Sequence, residues 1–278
     1  MAQAPLVIVT RPESEAIAWA KALQAQGIRT HTLPLLHIAA LPDASPLVAQ
    51  WQDLAAHLAV MFVSANAVRF FMAQRPAGMP IKACRAWSTG PGTRAALLAA
   101  RWPADQIDSP DEDAPNFDSE ALWAKVAPSV AMAKVAPGVA MAKVAPGVVA
   151  AQLASVLVVR GADADGQMAG RDWLVQQLQQ AGVRVVQTVA YVRQAPVWSD
   201  AQKQRALHAM TDGSWWLFSS SEAALQLQQL CPGLPLGQAK ALATHPRIAK
   251  RLQEIGWGQV QTVPAALTAQ AESIKSLP

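Results

Sequence analysis

The stretch Ala-Val-Met-Phe-Val-Ser-Ala-Asn-Ala-Val-Arg-Phe-Phe at residues 59–71 decides the fold class of this chain. A short apolar run is followed by a serine and then by residues spaced as on one face of a helix, which predicts a strand that turns directly into a helix. A second stretch of this kind, Ser-Trp-Trp-Leu-Phe-Ser-Ser-Ser-Glu-Ala-Ala-Leu-Gln-Leu, occupies residues 214–227. The recurrence predicts two similar α/β halves, and each helix start offers backbone N–H groups that suit an anionic ligand.

Other apolar runs alternate with helical patterns along the chain. Strands are predicted at 6–10, 84–88, 156–159, 183–190, 239–243 and 259–263. Apolar strands that alternate with helices form parallel sheets covered on both faces, so the sequence predicts doubly wound α/β layers. Ligands of such sheets bind outside the carboxyl ends of the strands. The residues at the predicted ends are Thr10 and Arg11, Ser64 to Asn66, Thr89 to Thr93, Arg160 and Gly161, Ser219 to Ser221, and Thr244 and His245.

Length and charge narrow the classes of function. A chain of 278 residues is long enough for two domains. The 23 basic and 19 acidic residues give a net charge of +4, scattered without the stripe of Lys and Arg that is typical of nucleic-acid binding. We therefore expect no nucleic-acid partner, whereas an anionic small molecule is compatible with this mild surplus.

The apolar segments and the cysteines of the sequence predict the cellular compartment of the protein. No stretch reaches the roughly 18 apolar residues of a membrane span, and the N-terminus does not resemble a signal peptide. Cys84 and Cys231 match no zinc or redox spacing and are predicted to be buried thiols in a reducing compartment. We expect a cytoplasmic protein with no membrane partner.

A low-complexity repeat occupies residues 124–150, where the unit Ala-Lys-Val-Ala-Pro-Ser-Val-Ala-Met is followed by two near copies. The nine-residue period is too short for a solenoid, which needs roughly 20–50 residues per unit. A proline in each unit argues against one long helix. We interpret the segment as an expanded surface loop, which costs little closure entropy; a partner-binding arm is the alternative.

The sequence lacks the usual patterns of catalytic and cofactor sites. Its five histidines are dispersed without ligand spacing, so no metal is expected. There is no Gly-x-Ser-x-Gly motif of a serine hydrolase. The turn Gly90-Pro91-Gly92 lacks the third glycine of a dinucleotide motif, and is equally compatible with an anion site at a helix start and with a structural role.

Tyrosine and arginine candidates each have a structural and a functional interpretation. Tyr191, the only tyrosine, is either a half-buried packing residue or a phenol placed to donate a proton. Arg11 and Arg160 are either solvated cations or partners for the carboxylates of a ligand.

Three serines at strand ends, Ser64, Ser219 and Ser220, have the position of helix caps, which also suits anion binding. Ser219 and Glu222 also have the spacing of a capping box.

Taken in order, these motifs resemble the uroporphyrinogen-III synthase family. The resemblance covers nearly the whole chain except 124–150, and it depends on the order and spacing of the motifs. They are Val-Ile-Val-Thr-Arg-Pro at 7–12, Phe-Val-Ser-Ala-Asn-Ala-Val at 62–68, Gly-Pro-Gly-Thr at 90–93, Phe-Asp-Ser-Glu-Ala-Leu at 117–122, Val-Val-Arg-Gly at 158–161, Val-Ala-Tyr-Val-Arg at 189–193 and Phe-Ser-Ser-Ser-Glu-Ala-Ala at 218–224.

The resemblance implies two doubly wound, parallel-sheet α/β domains joined by two extended crossings, with a ligand cleft between them. The first domain would comprise residues 1–37 and 194–278, and the second residues 38–193 with the repeat at 124–150 as an insertion. We also expect a monomer. Because only two crossings would join the domains and contacts between domains are often modest, we expect the domains to change their angle on ligand binding, around hinges at 34–40 and 190–197.

A reaction is implied as well. Hydroxymethylbilane, a linear tetrapyrrole with eight carboxylates, would lose the hydroxyl of its first ring and close to the type III isomer through a spiro intermediate, with the last ring inverted and without cofactor or metal. Because this substrate cyclises spontaneously to the wrong isomer, the enzyme's main task would be to position it. Tyr191 matches the family tyrosine proposed to assist loss of the hydroxyl, and Thr93 matches a family hydroxyl residue that faces the cleft.

One loop departs from the family pattern. The late loop usually resembles Gly-Pro-x-Thr, but here it has His245 in place of glycine and Ile248 in place of threonine, and Arg247 would supply a different carboxylate partner. The residues expected to bind the substrate are Arg11, Ser64, Asn66, Gly92, Thr93, Arg160, Gly161, Ser219, Ser220 and Arg247.

Two other interpretations remain open on the sequence. One is a non-catalytic two-domain protein that binds an anionic small molecule, and the other is a degenerate member of the same family.

Overall fold

The computed structural model describes residues 5–81, 84–111, 118–135, 154–168 and 172–277. The chain divides into two compact units, residues 1–38 with 194–278 (unit 1) and residues 39–193 (unit 2). Both units contain helices and mostly parallel strands, so the predicted α/β class is confirmed. That each unit folds as an independent domain is a proposal, because compactness alone does not show it.

The helices and strands follow one another in chain order as β1 (Leu6–Val9), α1 (Glu13–Ala25), β2 (Arg29–Thr32), β3 (His37–Ala40), α2 (Ser45–Gln52), β4 (Ala59–Phe62), α3 (Ala65–Ala73), β5 (Arg85–Ser88), α4 (Pro91–Ala99), β6 (Ile107–Asp108), α5 (Ser119–Val135), β7 (Ser155–Ala162), α6 (Trp173–Gln180), β8 (Arg184–Gln194), α7 (Asp200–Ala209), β9 (Trp215–Phe218), α8 (Ser221–Leu230), β10 (Lys240–Ala243), α9 (Pro246–Glu254), β11 (Gln259–Thr262) and α10 (Leu267–Lys275).

Unit 1 contains a five-stranded sheet in the order β11-β10-β9-β1-β2, and its neighbouring strands are parallel. Side chains alternate between the faces of a strand, so a strand that is apolar at every position needs packing on both faces. This is the case for β1, where Ile8 packs in one cluster with Trp216 and Val7 packs in a second cluster with Trp215.

Unit 2 contains a six-stranded sheet in the order β3-β8-β7-β4-β5-β6. The pairs β8 with β7, β7 with β4, β4 with β5 and β5 with β6 are parallel. The pairing of β7 with β8 shifts by one residue between Arg160 and Gly161, since Arg160 lies opposite Val189 whereas Gly161 lies opposite Tyr191. Such a bulge re-aims the side chains beyond it and is common near active sites.

Five elements were not predicted from the sequence: β2, β3, α2, β6 and α7. The strand β2 has the polar sequence Arg-Thr-His-Thr, with none of its four residues buried, and it pairs only with β1 at the edge of the sheet. An edge strand of this kind carries little of the apolar pattern from which strands are predicted. The strand β6 is only two residues long.

The helix α5 continues through the first copy of the repeat and contains Pro128. The interpretation of the repeat as a surface loop is therefore wrong for this copy. Leu122, Val126 and Val130, spaced four residues apart, are buried in the core of unit 2. Proline removes one backbone hydrogen bond, and the burial of this apolar stripe offsets that loss. The rest of the repeat, 136–150, lies outside the described residues, so its interpretation as a loop stays a prediction.

The packing of α5 predicts that the first repeat copy contributes to stability. Val130→Ala removes two buried methyl groups and should lower the free energy of unfolding of unit 2 by about 1–3 kcal/mol. Ser129→Ala, at an exposed neighbouring position in the same copy, should change it by less than about 0.5 kcal/mol. Chemical denaturation followed by circular dichroism measures both variants, and equal midpoints would show that the copy is a surface appendage.

Candidate active site

The candidate site of unit 2 lies where the strand order of its sheet reverses. From β4 the chain proceeds outward through β5 to β6, and from β7 it proceeds in the other direction to β8. The crevice at such a switch point, outside the carboxyl ends of the strands, is where doubly wound proteins bind ligands. Ser64 follows β4 and Gly161 lies near the end of β7, so both belong to this crevice.

Tyr191 is the centre of this group. The sequence placed it just after a strand, but it lies within β8, beyond the bulge. Its hydroxyl oxygen is 3.1 Å from Oγ of Ser64, and its ring stacks on that of Phe70 with 5.7 Å between the centroids. The residue is only 5% exposed. Tyr191 is thus fixed in position on two sides, by a hydroxyl and by an aromatic ring.

Gly161 lets the tyrosine ring approach the neighbouring strand. A Cβ atom at residue 161 would lie 2.5 Å from both Cε2 and Cζ of Tyr191 and 2.9 Å from its hydroxyl oxygen. Such close separations are not tolerated between these atoms, so any side chain here would displace the ring. The structure therefore brings Gly161, Ser64 and Tyr191 together, and it gives Gly161 a steric reason for being glycine.

Helix α3 positions Ser64 and Asn66. Ser64 is the N-cap and its Oγ accepts a hydrogen bond of 3.1 Å from the backbone N–H of Ala67, as predicted for a serine at a strand end. Asn66 lies in the first turn, where its Oδ1 accepts a hydrogen bond of 2.9 Å from Arg69.

Gly92 and Thr93 lie in the first turn of α4, which follows β5, the strand next to β4. The carboxyl ends of parallel strands share one edge of the sheet, so this helix starts at the same edge as α3. Gly92 is exposed, whereas Thr93 is 7% exposed and packs inward.

Arg160 has a different environment from Gly161. Adjacent residues of a strand face opposite sides of the sheet. The side chain of Arg160 is buried, and its Nη1 donates hydrogen bonds of 2.8 Å to Oδ1 of Asp172 and to Oε1 of Gln187. The guanidinium thus has a carboxylate partner within unit 2, and these contacts do not bring it to Tyr191.

The remaining candidates lie in unit 1, at the carboxyl ends of β1, β9 and β10. Arg11 lies 4.1 Å over the ring of Trp19 and 3.7 Å from a carboxylate oxygen of Glu15, and burial lowers its pKa from the usual value. Ser220, not Ser219, caps α8, because its Oγ accepts a hydrogen bond of 3.1 Å from the N–H of Glu222. Of the two serines predicted as caps, Ser220 has this role, and the capping-box spacing of Ser219 with Glu222 does not mark the cap.

The late loop of unit 1 departs from the family pattern at two residues, His245 and Ile248, and both have a structural role. His245 caps α9, and its Nδ1 accepts a hydrogen bond of 3.1 Å from the backbone N–H of Arg247. Ile248 is buried in the core next to the sheet. Histidine thus caps the helix with its side chain and isoleucine fills the core, while Arg247 is exposed at this helix start.

The two cysteines differ. Burial raises the pKa of the Cys84 thiol to about 12, so it is not a nucleophile at neutral pH. Cys231 is also free but only partly buried, so the prediction that both are buried is wrong for Cys231.

The part of the chain that the structure describes offers neither a metal-ligand cluster nor a spanning helix. Within it, no group of three or more His, Cys, Asp and Glu side chains is arranged to hold a metal ion. No described helix has the length and apolar character that a membrane crossing requires.

Phe70 and the bulge in β8 were not foreseen from the sequence. Phe70 was visible only as part of an apolar helical pattern, which indicates core packing and not contact with one particular ring. A one-residue shift in pairing leaves no mark on a continuous strand sequence, so nothing in the pattern indicated it.

Comparisons with known proteins agree with this architecture. The family model described as uroporphyrinogen-III synthase HemD matches residues 17–271. The structure of uroporphyrinogen-III synthetase from Helicobacter pylori is similar over 99% of this chain and 100% of that chain, with 17% sequence identity and a TM-score of 0.59. A mutant uroporphyrinogen III synthase from Thermus thermophilus is similar over 98% of each chain, with 15% identity and a TM-score of 0.53. The structural similarities show a shared fold, and the family match extends over most of the chain.

The contact between Gly161 and Tyr191 predicts that adding a single methyl group at residue 161 destabilises the fold strongly. Gly161→Ala should lower the free energy of unfolding of unit 2 by about 1–3 kcal/mol, because the ring must move. Gly92→Ala is the matched control, since nothing lies within 4 Å of its Cβ position in α4; it should be neutral or stabilising by up to about 1 kcal/mol. Denaturant titration measures both variants. In a Tyr191→Ala background the cost of Gly161→Ala should largely disappear, and an unchanged cost there would exclude the ring as its cause.

Proposed function

The chain belongs to the uroporphyrinogen-III synthase family, and we propose that the group around Tyr191, together with the helix starts of both units, carries its reaction. The family places the chain among the cyclising lyases of haem biosynthesis, which act on a small-molecule substrate. No observation favours a protein that only binds an anion.

The reaction converts hydroxymethylbilane to uroporphyrinogen III and water. The hydroxyl of the first ring leaves, and the electrophile that results is attacked by the last ring through its substituted carbon. The spiro intermediate then rearranges, and the macrocycle closes with the loss of a proton. A proton donated to the departing hydroxyl makes it leave as water, and the proton lost at closure restores the donor.

We propose that Tyr191 is this proton donor. The observation that supports it is the position of its phenol at the sheet switch point, 3.1 Å from Ser64 Oγ and held by Phe70. General acid catalysis needs a group fixed within hydrogen-bond reach of the leaving atom. Stacking on Phe70 and the close approach of the ring to the backbone of Gly161 restrict the orientation of the phenol.

The substrate carboxylates would be held at the helix starts. In unit 2 we propose Ser64 and Asn66 on α3 and Gly92 and Thr93 on α4 for this role. Backbone N–H groups and the helix dipole favour anions at these positions without a large basic patch.

In unit 1 we propose that Arg11, Ser219, Ser220 and Arg247 bind substrate carboxylates in the same way. Arg160 already has the carboxylate of Asp172 as a partner, so the proposed binding of the substrate depends mainly on the other residues. A cytoplasmic location and a monomeric state are also proposals.

Incubation with freshly prepared hydroxymethylbilane tests the function directly. The oxidised products are separated by chromatography, and we expect the type III isomer to form faster than the spontaneous reaction forms type I. Type I alone, at the uncatalysed rate, would contradict the proposed function.

Tyr191→Phe tests the proposed proton donor. The substitution keeps the ring and its stacking on Phe70 but removes the acidic hydroxyl, so kcat should fall while affinity for the product stays near that of the parent. General acid assistance is typically worth about 10²–10⁴-fold, and positioning should preserve some type III formation. Initial rates and a product titration measure the two quantities. A kcat equal to the parent's would remove Tyr191 from the mechanism.

A further inference from the structure

We propose that Ser64 is a positioning residue that acts on the reaction through Tyr191, by donating its hydroxyl hydrogen to the phenolic oxygen as that oxygen gives up its proton. The inference rests on the proposed function, in which Tyr191 assists departure of the hydroxyl. It gives this role to the side-chain hydroxyl of Ser64, while the backbone N–H groups at the start of α3 remain the groups proposed to bind a substrate carboxylate.

The cap leaves the hydroxyl hydrogen of Ser64 available for a second hydrogen bond. A serine hydroxyl has one hydrogen to donate and two lone pairs with which to accept. One lone pair of Ser64 Oγ receives the N–H of Ala67, at 3.1 Å. The hydroxyl hydrogen is therefore free to be donated away from the helix, and the phenolic oxygen of Tyr191 lies 3.1 Å away. Once that oxygen has given up its proton it can only accept, so Ser64 is then the donor. This distance is slightly long for a hydrogen bond between hydroxyls, as is common in catalytic sites without substrate.

Helix α3 strengthens this effect. The first N–H groups of this nine-residue helix lie next to Ser64. They form the positive end of the helix, which favours a neighbouring negative charge. When Tyr191 gives up its proton, negative charge develops on the phenolic oxygen, and a hydrogen bond to a charged oxygen is stronger than one to a neutral oxygen. Ser64 should thus stabilise the transition state more than the ground state, which is the condition for an effect on kcat.

The position of the ring keeps the two oxygens together. Phe70 stacks on one side of Tyr191, with an angle of 30° between the rings, and Gly161 lies against its edge. The bulge in β8 sets Tyr191 opposite Gly161. The phenol therefore cannot move far from Ser64 without a change in the strand pairing.

The first experiment uses the fact that the chain contains a single tyrosine. Incorporation of difluorotyrosine labels residue 191 alone, and ¹⁹F NMR follows the ionisation of its phenol, which fluorine moves toward neutral pH. In Ser64→Ala the titration midpoint should move to higher pH by about one unit, because the charged form loses a donor. An unchanged midpoint would contradict the link between Ser64 and Tyr191.

The second experiment is a double-mutant cycle on the rate of type III formation. Ser64→Ala should lower kcat on the order of tenfold in the parent, with little change in KM, since a single hydrogen bond to a charged group is lost. In the Tyr191→Phe background the same substitution should have almost no further effect, because the two residues act as a unit. Equal losses in both backgrounds would show that Ser64 contacts the substrate itself, which would overturn the proposal.

Two control variants separate this role from the helix cap. Ser64→Thr keeps both the hydroxyl and the cap, and it should restore the titration midpoint and most of kcat. Ser199→Ala removes the cap of α7, where Ser199 forms a capping box with Gln202 in unit 1; it should cost about 1 kcal/mol of stability without altering either readout.

The outcomes distinguish the two proposals. If the parent forms no type III isomer, the proposed function fails, whereas the fluorotyrosine titration still tests the hydrogen bond. If the parent is active but Ser64→Ala leaves the titration midpoint unchanged, only the role of Ser64 fails.

Discussion

The parallel pairing of strands is the constraint on which the rest of each unit depends. Parallel strands that are neighbours in a sheet end at the same edge, so every helix that follows such a strand must begin there. In unit 2 this applies to α3 and α4, and in unit 1 to α8 and α9, each of which starts directly after the strand that precedes it. The result is a series of positive helix ends along one edge of each sheet, which suits a ligand with many carboxylates.

A local irregularity turns this general edge into a specific site. The one-residue shift between β7 and β8 sets Tyr191 against Gly161, and the glycine gives the ring space that any side chain would fill. Phe70 from α3 then stacks on the ring, so the strand that carries the phenol and the helix that faces it are fixed together. The reaction of this family mainly requires positioning, and a phenol held from three sides fits that requirement.

Periodicity predicted the α/β class because buried parallel strands leave a strong apolar signal, as in β1, β4 and β9. The same signal is absent from β2, a polar edge strand, and it is misleading in α5, where Pro128 suggested an interruption that the packing of Val126 and Val130 offsets. At the site, Ser64 and Ser220 were predicted as caps from their position before a helix, while Ser219 was misjudged because two adjacent serines compete for the same role. The contact of Phe70 with Tyr191 depends on tertiary packing, which no single stretch of sequence encodes.

The unequal burial of the two cysteines has a practical consequence for work in solution. The thiol of Cys84 is shielded in unit 2 and has a pKa of about 12, so it reacts slowly with maleimides at neutral pH. Cys231 lies just after α8 in unit 1 and is partly accessible, although burial also raises its pKa. A fluorophore or spin label can therefore be attached to unit 1 without replacing Cys84, whose sulfur lies 3.6 Å from the carbonyl oxygen of His57 inside the other unit.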